Sequence, residues 1–163
     1  MSALNRFRVA QDSPFEGFPS ALAEIESGRK RGHWIWYVFP QLAGLGSSAP
    51  SREFGIRGAT EAADYLRDPV LRSRYRDISA AVAAQLARGA SLPMLMGSEI
   101  DARKLVSSLT LFQRAADRLV AEGFDECGEV AAIAEEVLAT AARQGYPRCS
   151  FTEQRLNAPP TGT

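Results

Sequence analysis

Residues 33–48 read HWIWYVFPQLAGLGSS, and they decide the fold class because they hold the one stretch of the chain that resembles a β-strand. Trp34 to Phe39 are six consecutive apolar residues before Pro40, a pattern typical of a short buried strand. A lone strand would leave its backbone N–H and C=O groups unpaired, and the sequence offers no second strand candidate. We therefore predict that HWIWYVFPQ is a buried helical turn or an extended segment within an all-α domain.

Outward from this stretch the chain is dominated by helical patterns. The sequence predicts helices from residue 18 to about 28 and over 59–67, 69–88, about 98–122 and 125–143. In the helix over 69–88 the apolar residues recur every three or four positions, at Leu71, Tyr75, Ile78, Val82 and Leu86. Ser98 and Asp101 have the S-x-x-D form of a capping box, which begins another helix. We expect a compact bundle of about six helices.

The chain is long enough for one domain at 163 residues. Lys plus Arg and Asp plus Glu each number 19, so a formal net charge of +0 gives no general attraction to nucleic acid or anionic membranes. We predict a single helical domain over residues 1–147 and a flexible, disordered polar tail over 148–163. No apolar run approaches the roughly 18 residues of a membrane span, and the N-terminus lacks the apolar run of a secretory signal, so we expect a cytoplasmic protein.

The helix that begins near Ser98 carries polar residues on its apolar side. At about 100° per residue, Asp101, Lys104 and Ser108 share the sector of the apolar stripe. Buried charges are costly unless they are paired, so this placement has two interpretations. Asp101 and Lys104 could form an ion pair that fixes the helix to a neighbour. Alternatively, they form the floor of a pocket in which Lys104 binds an anion, Asp101 orients Lys104, and Ser108 donates a hydrogen bond.

His33 is the one histidine of the chain, and it lies between a basic run and two tryptophans. It is a candidate general acid or base, or else a hydrogen-bonded structural residue. Trp34 and Trp36 could stack against a flat ligand or belong to the core. A single histidine, together with the spacing of Cys127 and Cys149, fits no zinc or redox motif, so we predict no metal or cofactor.

The loop that follows the aromatic run is rich in glycine. Gly44, Gly46 and Ser47 offer backbone amides of the kind that cradle phosphate, although the same residues also suit a plain turn. Basic and aromatic residues interleave just before, in GRKRGHWIWY, which keeps weak nucleic-acid binding as an alternative. Three adjacent bases are too few for strong non-specific affinity.

Four segments carry a resemblance to a known family. They are RFRVAQ (6–11), SGRKRGHWIWYVFPQLAGLGSS (27–48), EAADYLRDPVLRSRY (61–75) and GSEIDARKLVSSLTLF (97–112). Over these segments the chain resembles a small bacterial family called domain of unknown function 1810. Some members carry a calpastatin-like label, but nothing in this sequence resembles the disordered repeats of a calpain inhibitor. The resemblance implies a compact, mostly helical single domain, and it brings no established activity with it.

The polar part of that resemblance suggests a site. It comprises His33, Gln41, Asp101, Lys104, Ser107 and Ser108. Our hypothesis is that the two segments containing these residues line one pocket for a small anionic, nucleotide-like metabolite. In this hypothesis Lys104 and the backbone amides near Gly44 hold the anion. Gln41 and Ser108 orient the ligand by hydrogen bonds, and His33 is the candidate acid or base of a reaction. The alternative from another class is a non-catalytic interaction module that docks a partner protein through residues 33–41.

Overall fold

The computed structural model describes residues 2–158, and within them the fold is all-helical, with ten α-helices and no β-strand. The helices are α1 (Asn5–Gln11), α2 (Phe18–Glu26), α3 (Ile35–Val38), α4 (Ala49–Phe54), α5 (Ala59–Arg67), α6 (Pro69–Ala87), α7 (Leu92–Met96), α8 (Glu99–Ala121), α9 (Gly128–Arg143) and α10 (Ser150–Asn157), with a 3-10 turn at Asp125–Cys127. The prediction of an all-α fold is confirmed, whereas the predicted number of six helices is wrong. Most of the additional helices have four to eight residues, too few for a repeating apolar pattern to be recognised.

Helix α8 is the central element of the bundle, and it packs against α3, α5, α7, α9 and α10. Its start is fixed by Ser98, whose Oγ accepts a hydrogen bond from the backbone N–H of Asp101 at 3.0 Å. All residues from 105 to 112 are buried. A helix that is surrounded on every side must bury its polar face as well as its apolar face.

Aromatic side chains join α8 to its neighbours in the core. The Phe112 ring lies 4.9 Å from the ring of Tyr65 in α5 and 4.7 Å from that of Tyr75 in α6, measured between centroids. Phe39, from the stretch after α3, packs edge-on against Tyr75 at 5.6 Å. Offset and edge-on arrangements of this kind are the favoured ones for aromatic pairs. They bring the aromatic segment against the middle of α8.

The apolar stretch at 34–39 forms the single turn of α3, and an extended segment follows it. The backbone N–H of Ile56 donates to the carbonyl of Gln41 at 2.8 Å, and the N–H of Ala43 donates to the carbonyl of Ile56 at 2.7 Å. These two bonds make an isolated parallel bridge between Leu42 and Ile56. Two hydrogen bonds therefore pair the Gln41 carbonyl and the Ala43 N–H of the extended segment without a sheet.

Within the segment after residue 147, for which the sequence predicts a flexible tail, residues 150–157 form α10. Thr152 is fully buried, and the N–H of Cys149 donates to Oγ1 of Thr110 in α8 at 3.2 Å. The Arg114 guanidinium also donates to the side chain of Asn157 at 2.6 Å. A helix of eight residues with few apolar positions leaves little sequence signal. Residues 159–163 of the predicted tail lie outside the described residues.

Candidate functional site

An open cleft of about 610 Å³ lies between the loop after α3, the first half of α8 and the segment that leads into α10. Its size falls in the range of small-molecule pockets. The loop contributes Gln41, Leu45 and Gly46; α4 contributes Ser51; α8 contributes Ile100, Arg103, Lys104, Val106 and Ser107; the C-terminal segment contributes residues 145–151.

The lining of this cleft is basic. It includes the cations Arg103, Lys104 and Arg148, and no carboxylate among the described residues. Arg103 lies 3.9 Å from Glu99, and Arg148 lies 2.6 Å from Glu135, but both carboxylates lie outside the lining. The charged side chains that line the cleft are therefore all cationic, although each arginine also pairs with a carboxylate outside the lining.

Lys104 lies where α8 meets the aromatic segment. Its ammonium is 4.6 Å from the centre of the Trp36 ring and 3.9 Å from Oδ1 of Asp101, and its side chain is 25% exposed. The distance to Asp101 exceeds hydrogen-bond range, so the interaction is electrostatic. A partly exposed ammonium that lies over an indole face is well placed to receive an anion.

Asp101 does not line the cleft, because it faces the loop before α3. Its Oδ2 lies 2.7 Å from the ammonium of Lys30, a side chain that is only 6% exposed. The same ammonium donates to the carbonyl of Gly32 and lies 5.0 Å from the Trp34 ring. Asp101 thus has a buried structural partner in Lys30 and a more distant one in Lys104. The ion pair between Asp101 and Lys30 therefore fixes α8 to the loop before α3. The longer contact between Asp101 and Lys104 lies within α8 itself.

A much smaller cavity, of about 20 Å³, adjoins the cleft. Trp36 and Phe54 line this cavity, and Gln41, Leu45, Gly46 and Ser51 line both spaces. The indole nitrogen of Trp36 is buried, and it has no hydrogen-bond partner among residues 2–158. Gly44 and Ser47, which the sequence also suggested, line neither space; Gly44 adopts a positive φ of 95° in the turn.

Three further side chains predicted for the site lie away from the cleft. His33 is 80% exposed at its side chain, with Nδ1 3.4 Å from Oε1 of Glu16. Trp34 is fully buried and donates from Nε1 to Oε1 of Glu24 at 2.8 Å. Ser108 is fully buried and shares a 3.0 Å hydrogen bond with the Tyr75 hydroxyl. The apolar stripe of α8 leads inward at Ser108, so this residue belongs to the core.

Glu24 explains why the basic loop before α3 keeps its shape. Its Oε1 accepts hydrogen bonds from the backbone N–H groups of Arg31 and Gly32, each at 2.8 Å, as well as from Trp34. Partial burial raises the pKa of Glu24, but the hydrogen bonds and the nearby Lys30 ammonium outweigh this effect and lower it overall. The carboxylate therefore stays charged and holds this loop against α2.

The structure adds residues to the cleft that sequence reasoning missed. They are Arg103, Arg148, Tyr146, Phe151, Ser51 and Cys149. Arg103 falls on the solvent side of the α8 wheel, and the others except Ser51 belong to the segment beyond residue 144, which shows no helical pattern in the sequence. Nothing in the sequence alone indicates that this segment folds back onto α8.

Both cysteines are free thiols, and they differ in environment. Cys127 is fully buried, and burial raises the pKa of its thiol. Cys149 is half-buried at the cleft, and its sulfur accepts a hydrogen bond from the Thr152 hydroxyl at 3.2 Å. In the part of the chain that the structure describes, no group of three or more His, Cys, Asp or Glu side chains is arranged to hold a metal ion. Nor is any described helix both long and apolar enough to span a membrane.

Comparison with known proteins gives a family and a structural relative. A family model described as "Protein of unknown function (DUF1810)" matches residues 1–128. The chain is similar to the conserved hypothetical protein Rv1873 from Mycobacterium tuberculosis, whose crystal structure is known, with 36% sequence identity. The two structures have a TM-score of 0.65, and the match covers 87% of this chain and 96% of that one. No curated protein matches. The C-terminal wall of the cleft lies beyond the residues that the family model matches.

Proposed function

This chain belongs to the DUF1810 family, and we propose that it binds a small anionic metabolite in the basic cleft. The observation that carries the proposal is the position of Lys104. Its ammonium stands at the cleft, on the face of Trp36, and is not within hydrogen-bond distance of its nearest carboxylate. An anion that enters the cleft can accept hydrogen bonds from this group without breaking a strong ion pair.

The two arginines that line the cleft with Lys104 support an oxyanion as the ligand. Arg103 and Arg148 both line the cleft, one on α8 and one on the C-terminal segment. A guanidinium matches the geometry of carboxylate and phosphate oxygens, because its N–H groups form a rigid fork. Hydroxyl groups of Ser51, Ser107 and Ser150 add neutral hydrogen-bonding groups to the same lining.

The aromatic residues of the cleft support a ligand with a flat or apolar part. Tyr146 and Phe151 belong to the wall, and Ile100 and Val106 lie on the α8 side. A nucleotide-like metabolite, with an anionic end and a ring, combines both requirements. The stacking surface is then Tyr146 or Phe151, since Trp34 is in the core and Lys104 lies over the ring of Trp36.

The proposal is one of binding and assigns no reaction. His33 was the candidate acid or base, and its exposed side chain does not line the cleft. The interaction-module alternative requires exposed aromatic residues between 33 and 41. The large apolar side chains that the structure exposes are Val9, Phe15, Val70, Met94 and Ile100, none of them in that segment. Burial of the aromatic run therefore favours the cleft over a docking patch.

A thermal-shift screen against nucleotides, sugar phosphates and dicarboxylates tests the proposal. A ligand at 100 times its dissociation constant stabilises the native state by about 2.7 kcal/mol, which a melting curve resolves. We expect at least one anion to raise the Tm of the wild type and to lose this effect in Lys104→Met, which keeps a side chain of similar length but removes the charge.

Arg118→Met is the matched control, because Arg118 is an exposed cation on the same helix that pairs with Glu122 outside the cleft. This variant should respond as the wild type does. If no anion in the screen stabilises the wild type, or if Lys104→Met responds equally well, the proposal is wrong.

A further inference from the structure

The indole of Trp36 has a donor that residues 2–158 do not satisfy. Its Nε1–H is buried without an acceptor among the described residues, and a tryptophan nitrogen can only donate. Buried donors are nearly always satisfied in folded proteins, so this group calls for an acceptor that the described residues do not supply, which is a water molecule or a ligand atom. The other tryptophan shows the contrast, since Trp34 donates to the carboxylate of Glu24 at 2.8 Å.

The cavity that Trp36 lines has room for one such acceptor. Its volume of about 20 Å³ exceeds the roughly 10–15 Å³ that a single water-sized group requires. Gln41, Leu45, Gly46 and Ser51 line both this cavity and the large cleft, so the two spaces share a wall. An atom of a molecule in the cleft is therefore close to the cavity.

The same indole carries a cation on its face. The Lys104 ammonium is 4.6 Å from the ring centre, and Lys104 lines the cleft. One ring thus presents an unpaired N–H at its edge and an ammonium above it. Both groups favour a negatively charged oxygen, and a group with two or more oxygens can meet both at once.

We infer that the small cavity is the inner subsite of the cleft and takes one oxygen of the ligand's oxyanion. One oxygen of a carboxylate or phosphate accepts a hydrogen bond from Nε1–H of Trp36, while a second oxygen binds the ammonium of Lys104. The rest of the ligand lies in the large cleft, between α8 and the C-terminal segment. This inference rests on the proposed function, and it names the group that the site recognises.

Two-dimensional 1H–15N spectra test the subsite, because the two tryptophans give two indole N–H resonances. Trp36→Phe assigns them by removing one. Inorganic phosphate and acetate, titrated separately, are the probes, and they distinguish a phosphate from a carboxylate as the preferred group. With the better probe the Trp36 indole resonance should shift downfield and saturate, while that of Trp34 stays in place.

Two variants separate the groups involved. Lys104→Met should abolish the shift of the Trp36 indole. Trp36→Phe should weaken binding of the same probe about tenfold, as expected for loss of one hydrogen bond to a charged oxygen. Equal affinity in Trp36→Phe would overturn the subsite.

The outcomes distinguish this inference from the proposed function. Saturable shifts of the Gly46 and Ser107 backbone amides with an unmoved Trp36 indole would overturn the subsite and leave anion binding in the cleft intact. If neither probe moves any resonance of the cleft, the subsite fails, and the proposed function fails with it if no anion of the thermal-shift screen stabilises the wild type.

Discussion

The ammonium of Lys104 lies 4.6 Å from the centre of the Trp36 ring, so a charge on the central helix rests on the aromatic segment that precedes it. Lys30 makes the equivalent contact with Trp34 at 5.0 Å, but it is buried and paired with Asp101. The two lysines of the chain therefore have different environments. Lys30 contributes to the structure, and Lys104 stands at the cleft.

Asp101→Asn should destabilise the protein by about 2–3 kcal/mol, because it leaves the buried Lys30 ammonium without its counter-charge. Urea denaturation measures this free energy of unfolding. Lys104→Met should cost less than 1 kcal/mol, since its ion pair is long and partly exposed. In the double variant Lys30→Met with Asp101→Asn the losses should be less than additive; strict additivity would contradict a direct pair.

Ser108→Ala should lower the free energy of unfolding by about 1–2 kcal/mol, because the buried Tyr75 hydroxyl loses its partner. Tyr75→Phe should have a similar effect, and the double variant should recover part of the loss. Anion binding should be unchanged in Ser108→Ala. A variant that is fully stable yet no longer responds to a stabilising anion would place Ser108 in the site instead of the core.

Stability at acid pH should depend on Glu24. Its pKa in the folded protein is lower than the ordinary value of 4.5, because hydrogen bonds and Lys30 outweigh its partial burial. A lowered pKa contributes stability that is fully present above pH 4.5 and is lost as the pH falls through the folded-state pKa. Glu24→Gln should therefore be less stable than wild type above pH 4.5, with a difference that narrows in acid.

Urea unfolding of both proteins at a series of pH values measures this difference. Glu26→Gln serves as the control, because Glu26 is an exposed carboxylate on the same helix. The Glu26→Gln variant should follow the wild-type curve. A constant difference between Glu24→Gln and wild type at all pH values would contradict the assignment.

A thiol-reactive reagent should modify Cys149 before Cys127. Cys127 is fully buried with a raised pKa, whereas Cys149 is half-buried at the cleft. Mass spectrometry of the folded protein should show one fast modification, absent in Cys149→Ser and retained in Cys127→Ala. Any anion that raises the Tm should slow this modification. Equal rates with and without that anion would place its binding elsewhere.

A chain that ends at residue 147 should lose about 2 kcal/mol of stability, because the partly buried Phe151 and Leu156 no longer pack against the core. It should also lose anion affinity, since Arg148 and the wall of the cleft are removed. If instead the truncated chain is as stable as the full chain and binds equally well, residues 148–163 behave as the flexible tail that the sequence predicts.

The long helices are predictable from the sequence because their apolar faces repeat often enough to be recognised. The predicted ranges 69–88 and about 98–122 correspond to α6 (Pro69–Ala87) and α8 (Glu99–Ala121). Single turns such as α3 carry no such repeat. The lone extended segment could not be placed either, because its bridge to Ile56 depends on a residue 14 positions away from Leu42.

The candidate site was only partly predictable for a related reason. A helical wheel gives the direction of a side chain about one helix, so it places Lys104 and Ser108 in one sector. It does not say that one meets a cleft and the other the Tyr75 hydroxyl. Arg148 escaped notice because its approach to α8 depends on the docking of α10, a long-range contact without a local pattern.

The most direct test of anion binding at Lys104 is a crystal structure determined after a soak in phosphate, for the wild type and for Lys104→Met. We predict a phosphate within hydrogen-bond distance of the Lys104 ammonium in the wild type, with one oxygen toward Nε1 of Trp36, and no phosphate at that position in the variant. Phosphate bound only outside the cleft, or bound identically in both proteins, would contradict it.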